Sequence, residues 1–191
     1  MVLAPNKALP GKKEEQRFTA GPAASYPSHQ TSENVTIGVK PYFDNEETRP
    51  VFGKNNPYNY GVLPVLVVIQ NDSGKTIKFT NLKVEYVGPG SARIEATPAR
   101  DIRYLNGVAM PTAPSPIKLG KKNPLNAWEI EGRAFAAESL PSGNSAYGFF
   151  YFQTPLQHDA TIYLSGMTEA GTGKELLYFE VPLFAPAAGG K

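Results

Sequence analysis

Residues 61–86 read GVLPVLVVIQNDSGKTIKFTNLKVEY, and this stretch decides the fold class. Its first half, 62–69, is almost unbroken Val, Leu and Ile, too short for a core helix and patterned like a strand buried on both faces. Asn71-Asp72-Ser73-Gly74 then supplies residues that tolerate positive φ or make Asx turns, so a tight reversal and a hairpin are expected there. Beyond it Ile77 and Phe79, then Leu82, Val84 and Tyr86, alternate with Lys78, Asn81, Lys83 and Glu85, the period of two that marks strands with one wet face.

On either side the same alphabet recurs. Val35, Ile37 and Val39 alternate with Thr36, Gly38 and Lys40, which places the first strand just after Asn34. Gly88-Pro89-Gly90 marks another reversal, after which Ala92 and Ile94 can line a short strand. Leu140-Pro141-Ser142-Gly143 is a turn leading into the aromatic strand 147–152. Ile162 with Leu164, then Leu177, Phe179 and Val181, form the last two strands, joined by a loop with Gly166, Gly171 and Gly173. One short helix is expected over 99–105, where Thr97-Pro98 reads as an N-cap followed by proline at the first helical position. The chain divides into a flexible leader over 1–30, a β-sandwich over 31–184 and a linker-like tail over 185–191. In the leader only Phe18 and Tyr26 are fit to pin it to the domain, and deleting Met1 to Ser28 is expected to leave the melting temperature nearly unchanged.

Composition narrows the function classes. The 18 Gly and 18 Pro together make roughly a fifth of the 191 residues, which suits a turn-rich β protein and argues against a helical bundle. A net charge of +2, from 19 basic and 17 acidic side chains, lacks the basic excess of a nucleic-acid binder. Without cysteine there is neither a disulfide nor a thiolate metal site. No apolar run approaches the ~18 residues of a membrane span.

The strand order, with the motifs Pro64-Val65-Leu66-Val67-Val68-Ile69-Gln70-Asn71-Asp72-Ser73-Gly74-Lys75 and Leu140-Pro141-Ser142-Gly143 followed by Gly148-Phe149-Phe150-Tyr151-Phe152, resembles immunoglobulin-like domains of bacterial envelope proteins and lipoproteins. The resemblance spans roughly 34–183. It implies an all-β, immunoglobulin-like antiparallel β-sandwich of Greek-key connectivity, in which the first motif is a central strand and the second the turn into a late strand. It implies no catalytic residue, since fold alone licenses no activity.

Motifs that carry chemistry are imitated and not met. Ser73-Gly74-Lys75-Thr76 lacks the glycine that a phosphate loop requires at position 69, where Ile69 stands. Gly143-Asn144-Ser145-Ala146-Tyr147 misses the second glycine of a nucleophile elbow. The two histidines, His29 and His158, are far apart in sequence, and Asp44, Glu46 and Glu47 lack the pattern of an EF-hand loop. No catalytic group, metal site or cofactor is expected. Lys54-Asn55-Asn56-Pro57-Tyr58-Asn59 and Lys121-Lys122-Asn123-Pro124-Leu125-Asn126 share the form K-x-N-P-x-N, read here as recurring turn chemistry against the alternative of a duplicated binding element.

The feature above background is the connection 41–60, long for a loop and rich in aromatics. Tyr42, Phe52, Tyr58, Tyr60 and the single tryptophan, Trp128, are the candidate binding residues; the competing reading is that they close the end of the core. The expected function is a non-enzymatic, exported module, at the periplasm, cell surface or extracellular space, that binds a protein partner or self-assembles at the cell envelope. The alternative is a carbohydrate-binding or carbohydrate-active accessory domain, which would set Tyr58, Tyr60 and Trp128 in one exposed plane against a glycan.

Overall fold

A computed structural model describes residues 18–102, 125 and 127–184, with the backbone alone for Ala127 and Trp128. In chain order the elements are β1 (Ser28–Ser32), β2 (Val35–Pro41), α1 (Asn45–Phe52), β3 (Leu63–Asn71), β4 (Ile77–Lys78), β5 (Lys83–Val87), β6 (Arg93–Glu95), α2 (Ala99–Ile102), α3 (Ala127–Arg133), β7 (Ser139–Leu140), β8 (Asn144–Phe152), β9 (Thr161–Ser165), β10 (Thr168–Glu169) and β11 (Phe179–Pro182). The strands form antiparallel sheets of order β1-β2-β3-β8 and β11-β9-β5-β6, with a small third sheet, β10-β4-β7. The protein is an all-β sandwich with short helices.

The first sheet is covered on both faces. Alternate residues of β3, Val65, Val67 and Ile69, join Val35, Ile37 and Val39 of β2 and meet Val84, Tyr86, Ile162, Leu164, Phe179 and Val181 of the second sheet. The intervening residues, Leu66 and Val68, lie in a separate core with Phe149 and Tyr151 of β8, Val51 and Phe52 of α1, Ile102 of α2 and Ile130 of α3. A layer of helices thus occupies the face that would otherwise be wet. That is why 62–69 is continuously apolar, as a strand buried on both sides must be.

The turn after β3 is not a hairpin. The expected partner of β3 was the segment beginning at Ile77, but β3 pairs with β2 and β8, and β4 pairs with β7 and β10. The Asn71-Asp72-Ser73-Gly74 corner instead carries the chain out of the first sheet, and the buried Asn71 side chain organises it. Its Nδ2 donates to the carbonyls of Lys75 and Leu140, both at 2.8 Å, while its Oδ1 accepts from the Ser73 amide at 3.1 Å and the Ser73 hydroxyl at 2.7 Å. Replacing Asn71 by alanine removes the buried donor to the Leu140 carbonyl and is expected to cost about 2–3 kcal/mol, read as a shift in urea midpoint at unchanged slope.

The chain also enters the fold earlier than the reading from Asn34. Strand β1 precedes β2 and pairs with it through a two-residue turn at Glu33 and Asn34, whose φ values of 50° and 58° are those of a type I′ hairpin. Ala23 is fully buried, and Phe18 packs edge-on to Tyr42 and Tyr147 and at 5.6 Å from Phe149. Gly38 sits mid-strand because the Ala23 carbonyl and the Tyr26 ring occupy the space a Cβ would need, with Tyr26 Cδ2 only 2.9 Å from that position.

Further differences lie in the connections. The segment 41–60, expected as loop, contains α1 and a 3₁₀ turn at Pro57–Tyr60, and α3 adds a helix at 127–133. The helix expected over 99–105 is present as α2 up to Ile102, the last described residue there. Leu177, assigned to a core strand, is 60% exposed because β11 begins only at Phe179. Ala92 is exposed and Ile94 only half-buried on β6. The irregular crossover 106–124, the second K-x-N-P-x-N copy apart from Leu125, and the tail 185–191 lie outside the described residues.

Candidate functional site

Helix α1 explains the fate of the predicted aromatic surface. Asp44 caps it, its Oδ1 accepting from the amides of Glu46 at 2.7 Å and Glu47 at 3.4 Å, and the two glutamates sit in the first turn where the helix dipole favours them. Lys40 pairs with Glu47 at 2.7 Å. The three acids considered as cation ligands therefore serve a helix start. Thr48, Val51 and Phe52 face inward, which carries Phe52 to 4.9 Å from Phe149 and 6.3 Å from Tyr151.

Tyr42 and Phe52, two of the candidate binding residues, are consequently core residues, 7% and 3% exposed. Tyr42 lies edge-on to Phe149 at 5.1 Å, and burial raises its phenol to about 12. Tyr58 is half-buried, edge-on to the exposed Phe43 at 6.2 Å, and its hydroxyl accepts from the Leu156 amide at 3.2 Å. Tyr60 is half-buried against the helix-side core. Trp128 lies on α3, and its side chain is outside the described residues. Of the four whose side chains are described, Tyr42 and Phe52 lie in the core and Tyr58 and Tyr60 pack half-buried against it.

The histidines are held apart from any such surface by local partners. His29 on β1 donates from Nδ1 to the Tyr26 carbonyl at 2.6 Å, and His158 lies 3.2 Å from Asp159 and stacks on Phe184 at 5.3 Å. Near the small sheet Lys75 reaches Glu169 at 2.7 Å and Lys174 reaches Glu33 at 3.3 Å; the Lys75 hydrogen bond holds the Glu169 carboxyl below its ordinary range. This cluster is neutralised within itself.

An exposed aromatic surface does exist, on the outer face of the second sheet. Tyr163 of β9 lies between Ile162 and Leu164, both fully buried, so it points to solvent. The Arg93 guanidinium from β6 sits 4.5 Å above its ring, and Tyr178 stacks on it with centroids 5.2 Å apart and planes at 26°. Arg93 also bonds Glu85 at 2.9 Å. Tyr178 is 55% exposed and Leu177, its chain neighbour just before β11, is 60% exposed. Across the strands the register sets Glu95, Glu85, Tyr163 and Glu180 in one row. The surface is aromatic and lined by charge, a form suited to binding. The alternation that identifies the core positions of β9 is the signal for Tyr163; Tyr178 is hidden beside Leu177, which the apolar pattern assigns to the core.

Compared with protein-family models and with curated proteins, the chain matches none.

Proposed function

We propose that this chain is a non-enzymatic, exported docking module of the cell envelope, and that a protein partner binds the outer face of its second sheet. The observation that carries this reading is the ridge Arg93-Tyr163-Tyr178 with Leu177 beside it. Tyrosine and arginine supply most of the energy of protein interfaces, and an ordered stack of them is already rigid, so little side-chain entropy is lost on docking. The immunoglobulin-like assignment is supported by strand order: β2-β3-β8 facing β6-β5-β9-β11 follows the A-B-E and C′-C-F-G arrangement of that fold. The envelope setting rests on the resemblance of the motifs around Val67 and Phe149 to envelope domains.

Binding of the purified chain to an envelope extract tests the reading. Tyr178→Ala and Tyr163→Ala are each expected to weaken binding about 30-fold, the equivalent of ~2 kcal/mol, while the melting temperature holds. Sedimentation of the chain alone separates the partners: a dimer that Tyr178→Ala dissociates means that a second copy docks there. Binding that survives both substitutions in full would rule this face out.

A further inference from the structure

The motif Lys54-x-Asn56-Pro57-x-Asn59, read from sequence as turn chemistry, converges in space with Asn45 and Arg49 of α1 on a cleft of about 710 Å³. The cleft has a built floor. Asn56, 4% exposed, donates from Nδ2 to the Phe43 carbonyl and to Asn45 Oδ1, both at 2.9 Å, and accepts at Oδ1 from the Tyr58 amide at 2.9 Å. Asn59 Nδ2 donates to the same Asn45 oxygen at 3.0 Å. Two donors thus occupy Asn45 Oδ1, which leaves its Nδ2 as donor and Asn59 Oδ1 as acceptor toward the cleft. Asn56 and Asn59 are held in place before any ligand arrives.

The electrostatics specify more. Arg49 and Lys54 line the cleft with no carboxylate partner among the described residues, and Glu46 brings the lining to a net charge of +1. The first amides of α1 are taken by Asp44, so an anion here must be met by side chains. Gly53, at φ 75° and ψ −142°, adopts a backbone shape open essentially to glycine alone and leaves its wall of the cleft bare. A fixed amide donor beside a fixed amide acceptor matches sugar hydroxyls, which both give and accept hydrogen bonds, and a net single positive charge suits one carboxylate better than a phosphate dianion.

From this convergence we infer that the cleft is a binding site for a carboxylated saccharide, a uronic-acid unit of a short glycan. The site is independent of the docking face on the second sheet. Amide proton–nitrogen NMR titration of the full chain with a trigalacturonate, a neutral galactose trisaccharide and inorganic phosphate tests it. The trigalacturonate is expected to bind with a dissociation constant of about 1 mM or tighter and to shift the Asn45, Gly53 and Asn59 signals. Arg49→Gln and Lys54→Gln, at exposed positions, are each expected to weaken that binding about tenfold. Asn59→Ala should do the same, and Tyr178→Ala should leave it unchanged. The inference is overturned if no shifts appear at about 10 mM ligand, if the charge variants bind as well as the parent, if the neutral trisaccharide binds equally, or if phosphate competes with equal affinity.

Discussion

Val67→Asp is expected to abolish the cooperative folded state at neutral pH. Val67 is fully buried in the middle of β3, between Val39 of β2 and Gly148 of β8, and its side chain belongs to the core shared with the second sheet. The substitution deletes apolar contact and sets an unpaired carboxylate between two sheets. Effects above about 4–5 kcal/mol arise from just such buried charges, against a total stability of about 5–15 kcal/mol for a domain. Burial would raise the new carboxyl above the unfolded value of ~3.9, so whatever stability remains is greatest below that pH and is lost as pH rises through the folded value. Val67→Ala should retain a cooperative transition with a loss of about 2–3 kcal/mol. Urea unfolding followed by circular dichroism decides the matter, and an aspartate variant melting beside the parent would mean that β3 is not a central strand.

Deleting Met1 to Ser28 is expected to destabilise the domain strongly, the reverse of what the leader's composition suggests. The cut removes Ala23, whose carbonyl packs over Gly38, the Phe18 ring that covers Phe149 and Tyr42, and the first residue of β1. It would lay open the apolar side of β8 and the Gly38 backbone. Losing a packed aromatic and its ring contacts costs about 3–5 kcal/mol, equivalent to roughly 10 °C in melting temperature for a domain of this size. A chain beginning at Phe18 retains every described contact and is the reference. A fall of less than about 2 °C relative to it would show that 18–28 contributes no packing energy.

The substitution and the deletion probe features of different legibility. Continuous burial of β3 was visible as a run of Val, Leu and Ile, because a strand covered on both faces has no position to spare for a polar side chain. The arm was not visible, because it makes no periodic pattern: Ala23 and Phe18 are single contacts dropped onto a surface that other segments build. Helix α1 carried a start signal in Asp44 followed by Glu46 and Glu47, but eight residues with Pro50 inside give too short a period to outweigh the look of a loop. Whether Tyr42 and Phe52 faced water depended on α1 folding back over β8. Nothing local to those two residues records that.

Local patterning accounts for the strands of β2, β3, β5, β8 and β9, for the corner at Asn71 and for the sandwich class, since alternation and turn chemistry act within a few residues along the chain. Which strand lies beside β3, where the helices sit, and which aromatics end in the core are settled only when both faces of the first sheet find cover. Those contacts join residues such as Phe18 and Phe149, or Asn71 and Leu140, that are distant in sequence. The same holds for the surfaces. Arg93 and Tyr163 come from two strands and Tyr178 from the residue just before a third, and the register of the second sheet, with Ile162 and Leu164 buried beneath it, sets Tyr163 on the face where the other two stack.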